Sequence, residues 1–338
     1  MSDSSKFRAI VVEKSADATG DDVRSRLTTM DVDALMPGSV TIAVDYSSIN
    51  FKDGLAISGR PGVVRTWPLI AGIDAVGQIT ASSDPRWKTG DRVILNGAGL
   101  GETHHGGLAE LVRVDGDSLV PLPAGLSAQQ AAAIGTAGFT AMLSVLALER
   151  GGLTPDSGDI LVSGAAGGVG SIAIALLAAN GYRVHASTGR TDELGDYLRS
   201  LGAVGLVERA SLGETLGKPL QTERWAGAID SVGSVTLANV LAQTNYGGTV
   251  ASCGLAQGSD LPTSVMPFIL RGVNLAGINS VHAPLALREQ AWARLESDLD
   301  RTLLDDLTTV IGLEGSLSAA HDILAGSLHG RTVVDVNA

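Results

Sequence analysis

Residues 159–190, DILVSGAAGGVGSIAIALLAANGYRVHASTGR, decide the fold. Ile160 to Val162 is a short apolar run of the length expected for a buried parallel strand. Gly164, Gly167, Gly168 and Gly170 follow, separated only by Ala165, Ala166 and Val169. Ser171 to Asn180 is rich in Ala, Leu and Ile at helical length, and Gly181 stops it. Tyr182 to Ser187 favours a second strand. Strand, glycine turn, helix and strand make one βαβ unit of a dinucleotide-binding fold. The glycines let backbone N–H groups at a helix N-terminus come within hydrogen-bond reach of a pyrophosphate, where a Cβ would intrude. The end of the second strand selects the cofactor. An NAD site places Asp or Glu there for the ribose hydroxyl, but this chain has Ser187, Thr188, Gly189 and Arg190, with no carboxylate before Asp192. Hydroxyls and an arginine fork suit a 2′-phosphate, so the expected cofactor is NADPH. The competing reading makes Arg190 a solvated loop residue.

The chain has 338 residues, 44% of them hydrophobic and 18% charged, enough for about two packed domains. Its net charge of −12 argues against general binding to nucleic acid or anionic membranes. Cys253 is the sole cysteine, which excludes an internal disulfide or a four-cysteine zinc site. Residues 1–9 are polar and do not read as a signal peptide. No charge-free run is expected to reach the length of a membrane span, so the reading is a soluble cytoplasmic protein.

Outside the βαβ unit, Phe7 to Val12 reads as a strand and Val40 to Tyr46 alternates with period two. Ser47 to Ile79 reads as an active-site loop that returns to strand over Ile70 to Ile79. Further strands are expected at Arg92 to Leu95 and Leu108 to Val114. Helices are expected over Ala128 to Ile134 and Phe139 to Glu149. Beyond the βαβ unit, helix at Tyr197 to Leu201 and Val235 to Gln243 alternates with strand at Gly205 to Val207, Trp225 to Val232, Gly247 to Cys253 and Val273 to Ile278. This alternation predicts a doubly wound parallel sheet. Leu285 to Leu304 reads as one amphipathic helix and Arg331 to Val336 as a closing strand.

Ten segments carry a family resemblance: YSSINFKD (46–53), GIDAVG (72–77), GGLAE (106–110), GTAGFTAM (135–142), GAAGGVGS (164–171), STGR (187–190), AIDSVG (228–233), NYGG (245–248), MPFILRG (266–272) and GRTVVDV (330–336). They run almost end to end. The chain resembles the medium-chain dehydrogenase/reductase superfamily in its zinc-free, quinone-reductase-like branch, and within it the NADPH-dependent acrylyl-CoA reductase family. The resemblance implies an α/β architecture: a Rossmann domain over 129–278 and a mostly-β GroES-like catalytic domain over 1–128, completed by 279–338. Gly72-Ile73-Asp74 stands where zinc-dependent relatives carry Gly-His-Glu, and the six histidines are scattered apart from an exposed-looking His104-His105 pair, so no metal is expected.

The resemblance also implies the chemistry. NADPH would reduce an activated carbon–carbon double bond, with acrylyl-CoA reduced to propionyl-CoA; a quinone or enone is the alternative substrate, and a NADPH-binding protein without turnover a further one. Asn50, Asp53 and Asp74 become the catalytic candidates, with Asn50 as an orienting group or oxyanion donor and either aspartate as an orienter or proton relay. The competing reading makes Asn50 and Asp53 loop-forming Asx residues and Asp74 a structural acceptor. Tyr46 could donate a proton but reads better as core. Lys52, Arg60 and Arg65 could hold the phosphates of a CoA ester. Cofactor contacts are expected from Thr136, Thr140, Gly164, Ala166, Gly167, Gly168, Val169, Ser187, Thr188 and Arg190, with Leu255, Ile269, Asn279 and Ser280 as a far wall and Arg331 near a phosphate. Asn279 departs from relatives that often have Asp there, which removes a general base and leaves an amide. Family members are commonly dimeric through the cofactor-domain sheet.

Overall fold

The computed structural model describes residues 6–14 and 23–338. The expectation that residues 1–9 are not a leader falls partly outside them. The chain divides into two compact units, one of Met1–Thr136, Ser280–Glu296 and Leu304–Ala338, the other of Ala137–Asn279 and Ser297–Leu303. The first division lies at Thr136/Ala137, eight residues beyond the expected 128, because the apolar run after Ser127 begins in the first unit.

The first unit is mostly β. Strands β1 (Lys6–Lys14), β2 (Val23–Asp31) and β3 (Val40–Ile49) come first, and then a short helix α1 (Phe51–Ile57). Strands β4 (Leu69–Ile70), β5 (Asp74–Ser82), β6 (Arg92–Asn96), β7 (Leu111–Val114) and β8 (Val120–Pro121) complete its first segment. β2, which the polar, charge-rich VRSRLTTMD concealed, pairs antiparallel with β1. In β3 the buried residues Val40, Ile42 and Val44 obey the period of two. The alternation then breaks: Ser47, Ser48, Ile49 and Asn50 are all buried. α1 replaces the loop expected after Ser47. Asn50 is its N-cap in extended conformation, and the Asp53 carboxylate accepts the Asn50 N–H at 2.8 Å, so a side chain starts the helix where apolar periodicity gave no signal.

The helix α2 (Ala128–Arg150) is interrupted at Gly135, whose φ of 49° and ψ of −161° are not helical. This matches the break in the sequence between two helical runs. Residues 128–148 are in fact free of charge and long enough to cross a membrane, contrary to the expectation above, but the helix is almost wholly buried in the protein. It is a core helix.

The second unit runs through β9 (Asp159–Val162), α3 (Gly168–Ala179), β10 (Arg183–Thr188), α4 (Thr191–Ser200), β11 (Ala203–Glu208), α5 (Ala210–Gly213), β12 (Trp225–Asp230), α6 (Ser234–Gln243), β13 (Thr244–Ser252), α7 (Met266–Arg271) and β14 (Asn274–Gly277). The strands form a parallel sheet in the order β11-β10-β9-β12-β13-β14. This doubly wound order reverses at β9, which puts the glycine turn at a switch point. Trp225, Leu161, Val240 and Val250 lie in the core beneath it.

The chain then forms α8 (Leu285–Asp298), α9 (Arg301–Asp306), β15 (Thr308–Gly312), α10 (Ser316–Ala325) and β16 (Arg331–Asp335). The single helix expected over 285–304 is two, because the Asp300 carboxylate accepts the Thr302 N–H at 2.8 Å and starts a new one. β16 pairs antiparallel with β3 and parallel with β15, and so completes the seven-stranded sheet of the first unit. Its core gathers Ile42, Val44, Ile79, Leu95, Val112 and Val334.

Close backbone approach holds this sheet's end. A Cβ on Gly107 would fall 1.9 Å from the Asp74 carbonyl oxygen. Gly107→Ala is therefore expected to destabilise the protein by about 2 kcal/mol or more, read as a lower midpoint in urea unfolding at unchanged slope. Wild-type stability would show that the strand ends can part freely.

Candidate active site and cofactor cradle

In the first unit the strand ends converge on Asp74, the first residue of β5, which is fully buried. Its Oδ2 accepts the Ser48 hydroxyl at 2.6 Å, the Asn50 amide at 2.8 Å and the Thr136 N–H at 3.0 Å. Oδ1 accepts the Asn96 amide at 2.7 Å, the Thr136 hydroxyl at 2.6 Å and the same N–H at 2.9 Å. The kink in α2 makes this possible. A Cβ on Gly135 would fall 2.7 Å from Asp74 Oδ2 and 2.9 Å from Ser48 Oγ, so only glycine lets the Thr136 N–H reach the carboxylate.

Asn50 is tied on the same side. Its amide nitrogen donates to Asp74 and, at 3.2 Å, to Asp53, so both amide hydrogens are engaged by acidic acceptors. The side-chain oxygen in turn accepts the Asp53 backbone N–H in the capping box of α1, so the whole amide is engaged within the protein. The oxyanion-donor role expected of Asn50 would need an amide hydrogen that Asp74 and Asp53 already hold in this arrangement. Asn50 is 7% exposed, while Asp53 and Asp74 are fully buried, so Asn50 alone of the three can touch a ligand without rearrangement. Asp53 accepts the backbone N–H groups of Asn50 and Ile73, at 2.8 and 3.0 Å. Burial pushes its pKa up to about 7, and the neighbouring Asp74 charge adds to the shift.

Several site residues escaped the sequence reading. Arg331 was expected near a phosphate. Instead it is buried and donates to the Ala133 carbonyl at 2.6 Å and to Ser48 Oγ at 2.9 Å. Its guanidinium braces the donor that serves Asp74. Asn96, at the end of β6, is held from α8: Trp292 Nε1 donates to its side-chain oxygen at 3.2 Å, and Arg288 donates to its carbonyl at 2.7 Å. Arg288 also binds the carbonyls of Ser280, Val281 and Ala283, fixing the turn that leads into α8. The Ser-Ser pair that follows the alternating run, inside YSSINFKD, was the one sequence signal for Ser48.

Lys52 is ion-paired with Glu102 at 2.7 Å, so its charge is matched within the protein. Arg60 and Arg65 are exposed, Arg60 beside a depression lined by Ser58, His321 and Leu324. Tyr46 is half-buried. His105, expected to be exposed, is buried; its Nδ1 accepts the Ile70 N–H at 3.2 Å, and burial lowers its pKa.

In the second unit Gly164 has φ 59°, and a Cβ there would meet Ser231 Oγ at 2.3 Å. Gly167 is the N-cap of α3, and a Cβ on Gly170 would fall 2.5 Å from the Gly164 carbonyl. The turn thus opens the N-terminus of α3 beside Gly168 and Val169, over a buried Ala166. The loop behind it is anchored by buried Asp230, which accepts the Ser163 hydroxyl at 2.6 Å and the Gly233 N–H at 2.8 Å. This is a cradle that fits a dinucleotide pyrophosphate. Ser187 and Thr188 end β10, and Arg190 opens α4 with Glu193 at 3.6 Å. Thr140 is buried in α2, and Asn279 and half-buried Ser280 follow β14. Leu255 and Ile269 are 61% and 71% exposed.

Residues 36–124 match the alcohol dehydrogenase GroES-like domain family and residues 168–297 the zinc-binding dehydrogenase family. Zinc does not fit here: among the described residues no three His, Cys, Asp or Glu side chains gather as ligands, and both Asp74 oxygens already serve protein donors. The acrylyl-CoA reductase AcuI of Ruegeria pomeroyi is 50% identical over 98% of this chain and 100% of its own length. The yhdH oxidoreductase of Salmonella enterica, solved in complex with NADP, superposes with a TM-score of 0.94 at 48% identity, covering 97% of this chain and 99% of its own. Bacillus subtilis yhfP, a putative quinone oxidoreductase solved with NAD bound, superposes with a TM-score of 0.93 at 45% identity, covering 98% of this chain and 100% of its own.

Two outcomes follow from the Asp74 cluster. Asn96→Ala should lower kcat about tenfold with little change in KM, and Asn96→Asp should lower it further by setting a second carboxylate against Asp74; equal activity for all three proteins would contradict this. Asp53 has a folded pKa of about 7 against 3.8 for the free group. The folded protein therefore keeps a proton that the unfolded chain releases, so this group's contribution to stability is full below pH 4 and lost as pH rises through 7. Urea unfolding should show that decline in the wild type and a flatter profile in Asp53→Asn.

Proposed function

This chain belongs to the medium-chain dehydrogenase/reductase superfamily, in the branch of acrylyl-CoA reductases and quinone oxidoreductases, and on that premise we propose that it is a zinc-independent NADPH-dependent acrylyl-CoA reductase. The observation that carries this reading is identity of 50% with an acrylyl-CoA reductase over essentially the whole of both chains. When bound, NADPH supplies the hydride that reduces the β-carbon of the acrylyl thioester.

What this chain's residues do can be stated group by group. The glycine turn and the N-terminus of α3 bind the pyrophosphate, and Ser187, Thr188 and Arg190 read the adenosine end. Asp74, braced by Ser48, Asn96 and Thr136, holds Asn50 in one orientation. Asn50, the one of the three that reaches the surface, then orients the bound ligands, which fixes their approach before reaction. Asp53, protonated below about pH 7, keeps the Asn50 amide in place without setting a second negative charge beside Asp74. Arg60 and Arg65 are the cations that remain for the phosphates of a CoA tail, since Lys52 serves Glu102. Leu255, Ile269, Asn279 and Ser280 stand as candidates for the nicotinamide end.

A second copy of the chain is the proposed partner. β14 is an edge strand of the parallel sheet, and nearby Val265 and Leu270 are more than half exposed, an apolar edge that a second sheet would cover. The expected compartment is the cytoplasm.

Quinone reduction is the second reading, favoured by the likeness to yhfP. Initial rates of NADPH oxidation with acrylyl-CoA, beside NADH and a simple quinone, separate the two. Saturation by acrylyl-CoA at micromolar levels with a strong preference for NADPH supports the thioester assignment; faster quinone turnover without saturation by the CoA ester replaces it. Asn50→Ala is expected to lower kcat/KM for acrylyl-CoA about a hundredfold.

A further inference from the structure

The donors on the Asp74 oxygens are all neutral: the Ser48 hydroxyl, the amides of Asn50 and Asn96, and the N–H and hydroxyl of Thr136. A fully buried carboxylate held by dipoles alone is costly. Asp53, the neighbouring acid, has the same sign and adds to the cost whenever it ionises. A cation stands one hydrogen bond further out. Arg331 opens β16, whose next residue, Thr332, pairs antiparallel with Ile49, so the arginine lies level with Asn50 and is only 2% exposed.

Arg331 Nη2 donates to Ser48 Oγ at 2.9 Å, and the same hydroxyl donates to Asp74 Oδ2 at 2.6 Å. A guanidinium offers only donors, so the Ser48 hydrogen has to point at the carboxylate. A Cβ on Gly135 would meet all three groups, Asp74 Oδ2 at 2.7 Å and both Arg331 Nη2 and Ser48 Oγ at 2.9 Å. Guanidinium and carboxylate thus border the space of a single methyl group, inside the range of about 4–6 Å over which an opposite charge favours the ionised form. The rest of the fork binds the Ala133 carbonyl at 2.6 Å and the Ile49 carbonyl at 3.4 Å, which fixes the charge between the end of β3 and the kink of α2. The charge has a use there. Asp74 gathers its donors only while both oxygens are acceptors, and a proton on either would set a donor against donors.

We propose that Arg331 is a positioning residue of the active site: its charge, delivered beside Ser48, keeps Asp74 the anionic acceptor on which Asn50, Asn96 and Thr136 are held. The proposal rests on the reductase reading above for its assay. The rival arrangement is the one expected from sequence, in which Arg331 serves a cofactor phosphate. The groups that face Asp74 from the elements packed on it are Ser48 of β3, Asn50 and Asp53 at the start of α1, Asn96 of β6, Thr136 of α2 and Arg331 of β16. Of these only Asp53 is a second acid.

NADPH affinity and the pH profile of kcat for acrylyl-CoA, measured on the full-length protein, test this in Arg331→Met, Arg331→Lys, Asp74→Asn and the Arg331→Met/Asp74→Asn pair. Arg331→Met should bind NADPH within about twofold of the wild type and lose about tenfold or more in kcat. A carboxylate that has lost its cation takes up a proton more readily, so the fall of kcat on the acid side should begin at higher pH in this variant. In the Asp74→Asn background the same substitution should cost less than about twofold, because the charge it serves is already gone. Arg331→Lys keeps the cation without the fork; its acid limb should stay where the wild type has it, and it is read alone where Arg331→Met does not fold. A loss that falls on NADPH affinity would hand Arg331 to a cofactor phosphate. An unmoved acid limb in Arg331→Met, a moved one in Arg331→Lys, or additive losses with Asp74→Asn would reduce the residue to a structural brace. Tight NADPH binding without wild-type turnover of acrylyl-CoA would sink the reductase reading and this inference with it.

Discussion

The first unit is organised around a buried carboxylate that takes hydrogen bonds from every side. Isolated in a protein interior, the Asp74 side chain would be costly to bury. It is tolerable because the ends of β3 and β6 and the kink in α2 all deliver donors to it. Those elements come from residues 48, 96 and 136, far apart in sequence, so the cluster also fixes how the chain closes on itself. Its outward consequence is one amide. With Asp74 and Asp53 facing its nitrogen and the Asp53 N–H facing its oxygen, Asn50 has a single orientation. The site is built by elimination of alternatives rather than by a pre-formed oxyanion hole.

The supports behind the cluster are layered. Arg331 on β16 reaches Ser48, and α8 reaches Asn96 through Trp292 and Arg288. A buried arginine held by backbone carbonyls is a rigid strut, because several donors must be abandoned together for it to move. This gives the segment after residue 280 a reason to return to the first unit: it carries the groups that hold Asn96. The second unit follows a different logic. There the work is done by absent side chains, as at Gly164 and Gly170, where space is what the sequence specifies.

Much of the second unit was legible because parallel sheets write themselves as apolar runs punctuated by glycine. The βαβ unit, the sheet it starts and the division into a mostly-β and a doubly wound part could be read from residues 159–190 and the alternation beyond them. Less could be read where side chains rather than periodicity decide structure. The Asp53 cap turned an expected loop into α1, and the Asp300 cap split one expected helix into two. β2 was hidden because its exposed, charged face carries no apolar alternation. At the site, Asn50, Asp53 and Asp74 were visible through the resemblance, but how the Asn50 amide is held was not, since that depends on carboxylates brought from 3 and 24 residues away. Arg331 and Lys52 show the same limit: a cation in sequence does not reveal whether an internal acceptor already holds it.

Asp74→Asn tests the central claim most directly, because it keeps shape while placing an amide where donors require an acceptor. Circular dichroism and NADPH titration would establish that the protein folds and binds cofactor, and steady-state rates with acrylyl-CoA would then read the site. The account predicts NADPH affinity within about twofold of wild type and kcat reduced by about a hundredfold or more, as Asn50 and Asn96 lose their common acceptor. Near wild-type turnover in a folded, cofactor-binding Asp74→Asn protein would contradict it.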